Sequence, residues 1–99
     1  MLCALTVRKL KPGSLEDFRK AFTPSGDEAP PGWKRFYALQ NVNDENEVIT
    51  FGFFDGSLEE LRASQAEGDY EDRRTQAEEL VESVGADGIY EIVEERSID

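Results

Sequence analysis

The chain of 99 residues contains no histidine. That absence excludes Ser-His-Asp and Cys-His nucleophilic catalysis, and a zinc site of cysteine and histidine type. There is one cysteine, Cys3, so an internal disulfide is excluded and a reducing, cytoplasmic setting is expected. No apolar run approaches the roughly 20 residues of a membrane span, and Met1 to Leu5 is too short and wrongly flanked for a signal peptide. Basic residues are scarce, 11 Lys and Arg against 22 Asp and Glu, for a formal net charge of -11. Such a surface repels phosphate backbones and anionic lipid, so neither nucleic acid nor membrane is expected as a partner. Asp44-Glu45-Asn46-Glu47 lacks the glycine and spaced ligands of a calcium loop, and no metal site is expected. The other carboxylates, Glu78-Glu79 and Asp69 to Asp72 included, read as solvated helix faces. Internal repeats, low-complexity tracts and linkers are also missing, which leaves one domain over residues 1–99. With 38% hydrophobic and 33% charged residues, that domain is globular rather than disordered.

What is present is organised around Arg35 to Asp55. Phe36, Ala38, Gln40 and Val42 alternate with Tyr37, Leu39 and Asn41, and Val48, Thr50, Gly52 and Phe54 with Ile49, Phe51 and Phe53. This is the two-residue period of strands, and Asn43 to Asn46 supplies turn chemistry between them. Neither strand has a polar face, so both faces of the sheet need cover.

The flanks follow in order. Leu2 to Leu10 reads as a strand, broken by Lys11-Pro12-Gly13. Ser14 can cap a helix with Leu15, Phe18, Ala21 and Phe22 as its apolar stripe. Thr23 to Gly32 reads as a surface loop ending at the sole tryptophan, Trp33. Ser57 and Glu60 make a capping-box pattern, with Leu58 and Leu61 expected to face inward and a bend expected near Gly68. A second start at Asp69 leads a stripe of Tyr70, Arg73 or Arg74, Ala77, Leu80, Val81 and Val84, placing helix through Ser83. Gly85 and Gly88 end it, and Ile89 to Glu95 is the last strand.

The order β-α-β-β-α-β predicts an α+β, ferredoxin-like fold with a four-stranded antiparallel sheet and helices on one face. A provisional assignment leaves Ala4, Phe36, Ala38, Val48 and Phe54 on the other face, with the parity open to inversion. Either way an apolar face remains exposed, and a homodimer packing sheet against sheet would cover it.

The segments LCALTVRKLKPGSLEDFRKAF, PPGWKRFYALQNVNDENEVITFGFFD and GIYEIVEE resemble the dimeric α+β barrel superfamily, and within it the antibiotic biosynthesis monooxygenase-like group. The resemblance covers nearly the whole chain. It implies a dimeric α+β barrel, and membership ranges over cofactor-free oxygenases of polycyclic aromatics, haem-degrading enzymes, lactone isomerases and proteins without assigned activity. The missing histidine separates this chain from the haem-binding branches, and no cofactor is expected.

Two functions from different classes follow. The first is a cofactor-independent monooxygenase-like enzyme acting on an aromatic or quinone-like metabolite. The second is a non-catalytic dimeric module binding a small ligand or a partner. For the first, Trp33, Phe36, Tyr37, Phe51, Phe53 and Tyr90 would line a cavity between sheet and helices, with Arg8, Arg35 and Asn41 as polar handles. No catalytic residue is assigned. Against this stands the ordinary use of large aromatics as core and dimer contacts. Cys3, with no base beside it, reads as a small buried hydrophobe.

Overall fold

The structure, a computed structural model, describes residues 1–22, 32–66 and 70–98. The loop expected over Thr23 to Gly32, apart from Gly32, lies outside the described residues. So do the bend at Gly68, the helix start at Asp69 and the side chains of Phe22, Tyr70 and Arg73.

The described elements run β1 (Leu2–Leu10), α1 (Leu15–Phe22), β2 (Trp33–Asn41), β3 (Asp44–Phe54), α2 (Leu58–Gln65), α3 (Tyr70–Glu78) and β4 (Val81–Glu91). The strands form one antiparallel sheet in the order β2-β3-β1-β4, the ferredoxin-like arrangement the element order predicts. Ser57 opens α2 with a complete capping box: its hydroxyl accepts from the Glu60 N–H and the Glu60 carboxylate accepts from its own. Before α1, the Ser14 carbonyl accepts from the Phe18 N–H at 2.8 Å.

Three expectations need correction. The hairpin turn is Val42-Asn43, because Asp44 already pairs with Asn41 and its carboxylate accepts from the Asn46 N–H. Helix α3 stops at Glu78, and β4 begins at Val81 rather than Ile89, ending at Glu91 rather than Glu95. The Gly85 to Gly88 stretch is therefore inside a strand. Residues Val81 to Val84 fit either period, and pairing with Arg8 to Leu10 of β1 settles them as strand. Leu58 is half-exposed, and Leu61 alone of the pair is buried.

Directly opposed residues in an antiparallel ladder share a face. Arg8 meets Phe18 of α1, Trp33 meets Ser64 of α2, and Asp87 meets Arg74 of α3. All three helices thus cover the face bearing Leu2, Ala4, Thr6, Arg8 and Leu10 of β1 and Val48, Thr50, Gly52 and Phe54 of β3. This inverts the provisional assignment: Ala4, Phe36, Ala38, Val48 and Phe54 look toward the helices, and Val48 and Phe54 are buried there. Strands apolar on both sides do not reveal their parity by alternation. The core sits at one end of this face, where Leu10, Phe18, Val48 and Ala77 pack with Leu15, Ala21, Leu80 and Val81.

Candidate functional site

The seven sequence-predicted site residues divide between the two faces, and a bulge in β2 divides them. Trp33 opposes Phe54, but Arg35 opposes Phe53, so Lys34 is an extra residue in the ladder. Trp33 and Arg35, of equal parity in the sequence, therefore point to opposite sides.

On the open face, four residues stand in two adjacent rows. Arg35, Phe53, Cys3 and Tyr90 form one row across all four strands, and Tyr37, Phe51, Leu5 and Gly88 the next. Tyr37 stacks on Phe51 with centroids 5.1 Å apart, and Phe53 meets both rings edge-on at 6.1 and 5.6 Å. Arg35 Nη1 donates to the Tyr37 hydroxyl at 3.1 Å, which holds the guanidinium above its ordinary pKa. Asn41 lies at the far end of β2, donating to Glu47 at 2.9 Å. Cys3 is buried, and burial pushes its thiol pKa up, away from the reactive thiolate.

Trp33 and Arg8 belong to the helix-covered face. The Trp33 ring packs edge-on against Phe54 at 5.1 Å and lies over Gly52, where a side-chain carbon would come within 3.0 Å of it. Its Nε1 donates to Ser64 Oγ at 2.9 Å, fixing the ring against α2. Arg8 is 7% exposed. Its guanidinium lies 5.5 Å from the Phe18 ring centre and donates to Thr50 Oγ1 at 2.8 Å. Thr50 and Gly52 are two residues apart on β3, about 7 Å of strand. An indole and a buried cation thus flank a short floor of small side chains: Ala4, Thr6, Ala38 and Thr50.

Thr6, Thr50 and Asp87 complete this surface and were not singled out from the sequence. Ala38, Thr50, Thr6 and Asp87 form one row across the sheet. Thr6 Oγ1 donates to Asp87 Oδ1 at 3.1 Å, and Arg74 Nη2 donates to Asp87 Oδ2 at 3.3 Å. The available signal was the run Thr50-Phe51-Gly52-Phe53, where small residues alternate with aromatic ones. Such a strand has one face filled by its own rings and one left shallow. Such an arrangement can hold a flat ring against Trp33, stabilise negative charge with Arg8 and accept a proton at Asp87.

Among the described residues, no helix is long and apolar enough to cross a membrane. No protein-family model and no curated protein matches the chain. Solved structures do. A candidate antibiotic biosynthesis monooxygenase from Chloroflexus aurantiacus J-10-fl has a TM-score of 0.78 at 16% identity, over 99% of this chain and 98% of that one. Its counterpart from Nitrosomonas europaea has a TM-score of 0.77 at 18% identity, over 95% and 100%. A variant of SnoaB, a cofactor-independent oxygenase from Streptomyces nogalater, has a TM-score of 0.80 at 14% identity, over 95% and 94%. Sheet order and these superpositions agree: the chain shares the ferredoxin-like α+β fold of these solved monooxygenases.

Proposed function

We propose that the chain is a homodimeric, cofactor-independent monooxygenase-like enzyme that oxidises a small hydroxyarene to a quinone. The observation that carries this reading is the buried Arg8 guanidinium reaching Thr50, two residues along β3 from the glycine beneath Trp33. A planar substrate on that floor meets an aromatic wall at one end and a desolvated cation at the other. The fold shared with a cofactor-independent oxygenase supports the reaction class.

The chemistry balances without an outside reductant. A hydroxyarene and O₂ give a quinone and water: the ring supplies four electrons, one oxygen atom stays on a ring carbon, and the other leaves as water. Deprotonation makes the ring electron-rich enough to reduce O₂. The protein's part is to exclude water, orient the ring and stabilise the anion, and Arg8 is the donor for that charge.

The open face has a separate role in this reading. Tyr37, Phe51 and Phe53 fill their own space, and with Leu39 and Tyr90 they present an apolar surface that a second copy covers by sheet-to-sheet packing. Arg35, Asn41 and Tyr90 then serve the interface rather than the substrate.

The test is oxygen uptake with 1-naphthol, following 1,4-naphthoquinone. Arg8→Gln is expected to lower turnover by about 10²-fold or more while the protein remains folded. A folded Arg8→Gln protein with wild-type turnover would remove Arg8 from the chemistry. The second reading, a non-catalytic ligand-binding dimer, is favoured by the self-filled packing of Tyr37, Phe51 and Phe53. Saturable quenching of Trp33 by 1-naphthol with no oxygen uptake would select it.

A further inference from the structure

We infer that Asp87 is the base that takes the substrate's hydroxyl proton, an inference that rests on the ligand floor described under the proposed function. The row Ala38-Thr50-Thr6-Asp87 carries the argument. Thr50, in β3, holds the Arg8 guanidinium; Asp87, in β4, stands two strands away, about 9–10 Å at ordinary sheet spacing. One polar row across the floor thus has a cation at one end and a carboxylate at the other. A ring lying along the row presents its hydroxyl to Asp87 and, toward Arg8, its para position, which shares the anion's charge by resonance and takes the new oxygen.

The carboxylate is also held for this work. Thr6 Oγ1 donates to one oxygen at 3.1 Å and Arg74 to the other at 3.3 Å, so its plane is fixed from β1 and from α3. Its side chain is nevertheless 49% exposed, which leaves it open to a proton donor. A carboxylate oxygen has two lone pairs, so accepting from Thr6 does not close Oδ1 to a substrate hydroxyl. The step is a proton transfer: the hydroxyarene O–H bond breaks, its electron pair stays on oxygen, and the proton passes to Asp87. Return of that proton to the reduced oxygen restores the carboxylate. Among the described residues, the charged groups around Asp87 are Arg74 on α3 and, through Arg74, Glu78 at 3.2 Å; Thr6 on β1 does not titrate.

The experiment uses 4-nitrophenol, whose phenolate absorbs visible light, so the bound proton is read without turnover. In wild-type protein the Asp87 carboxylate accepts from the neutral phenol and repels the phenolate, so the bound probe is expected to ionise at a higher pH than in Asp87→Asn, by about one pH unit or more, a tenfold change in ionised fraction. Asp87→Glu should recover part of the shift, and thermal melting checks that each variant is folded. Identical titrations of the bound probe in wild type and Asp87→Asn overturn the assignment, as does failure of the wild type to bind the probe. An Asp87-dependent shift of the probe without oxygen uptake on 1-naphthol would sink the oxygenase reading and leave the base in place. Uptake that survives in Asp87→Asn at neutral pH would do the reverse.

Discussion

The indole Nε1 of Trp33 donates to Ser64 Oγ at 2.9 Å, tying the first residue of β2 to the last turn of α2. Because the pair is partly buried, water replaces this bond poorly. Ser64→Ala is expected to cost about 1 kcal/mol, read as a lower urea midpoint with unchanged slope. It should also alter Trp33 emission. A midpoint equal to wild type would mean that solvent takes over the indole N–H.

Gly52 is the floor beneath that indole. A Cβ at this position would stand 3.0 Å from Trp33 Cζ3 and 3.4 Å from the Arg35 carbonyl oxygen. Gly52→Ala should push the ring outward, cost about 1–3 kcal/mol and weaken 1-naphthol binding together with stability. Calorimetry and fluorescence titration on one sample check both. Unimpaired binding by a destabilised variant would separate Trp33 from the ligand.

Lys9 and Asp44 form an ion pair between β1 and the start of β3. The hydrogen bond from Lys9, joined by the Asn46 N–H, lowers the Asp44 pKa, and the bond to Asp44 raises that of Lys9. Asp44 therefore stabilises the fold fully above the ordinary Asp pKa, and this is lost as pH falls through the depressed folded value. Lys9 contributes fully below the ordinary Lys pKa, and this is lost as pH rises through its raised folded value. Both contributions are present across the neutral range. Lys9→Gln should flatten the stability profile at its acidic and basic ends, and denaturation across pH checks it. Both partners are solvent-accessible, so the effect should shrink in high salt.

Phe51 sits at the centre of the open-face aromatic cluster. Phe51→Lys is expected to give a folded monomer at micromolar concentration by sedimentation equilibrium, since a charge there cannot be buried unpaired. Leu58→Lys, on the exposed side of α2, should leave assembly unchanged. Arg35→Ala should weaken assembly and spare the chemistry of a dimer that still forms. A monomeric wild-type protein would end the sheet-to-sheet argument.

The fold was legible in the sequence because its signals were local and redundant. Alternation in 36–42 and 48–54, the Ser57–Glu60 box and the Leu15-Phe18-Ala21 stripe each point to one element type. What escaped depended on pairing. Nothing in residues 81 to 84 distinguishes a helix end from a strand start until Arg8 to Leu10 lie beside them. Misreading that stretch hid Asp87, which becomes a neighbour of Thr6 only once Gly85 to Gly88 is strand. The candidate site was half legible: Trp33 and Arg8 were named, but in one aromatic group with Tyr37 and Arg35, which lie on the other face. A bulge separates Trp33 from Arg35, and no residue type announces one.

Lys34 is thus a position the β2 ladder skips. Because the bulge absorbs it, Trp33 opposes Phe54 on the helix side while Arg35 opposes Phe53 on the open side. Substituting Lys34 should change little, and deleting it would leave a regular ladder in which Trp33 and Arg35, now adjacent, still point to opposite sides. Mutational tolerance at this point should therefore extend to removal as well as replacement. The strand keeps its reading frame by not counting one residue.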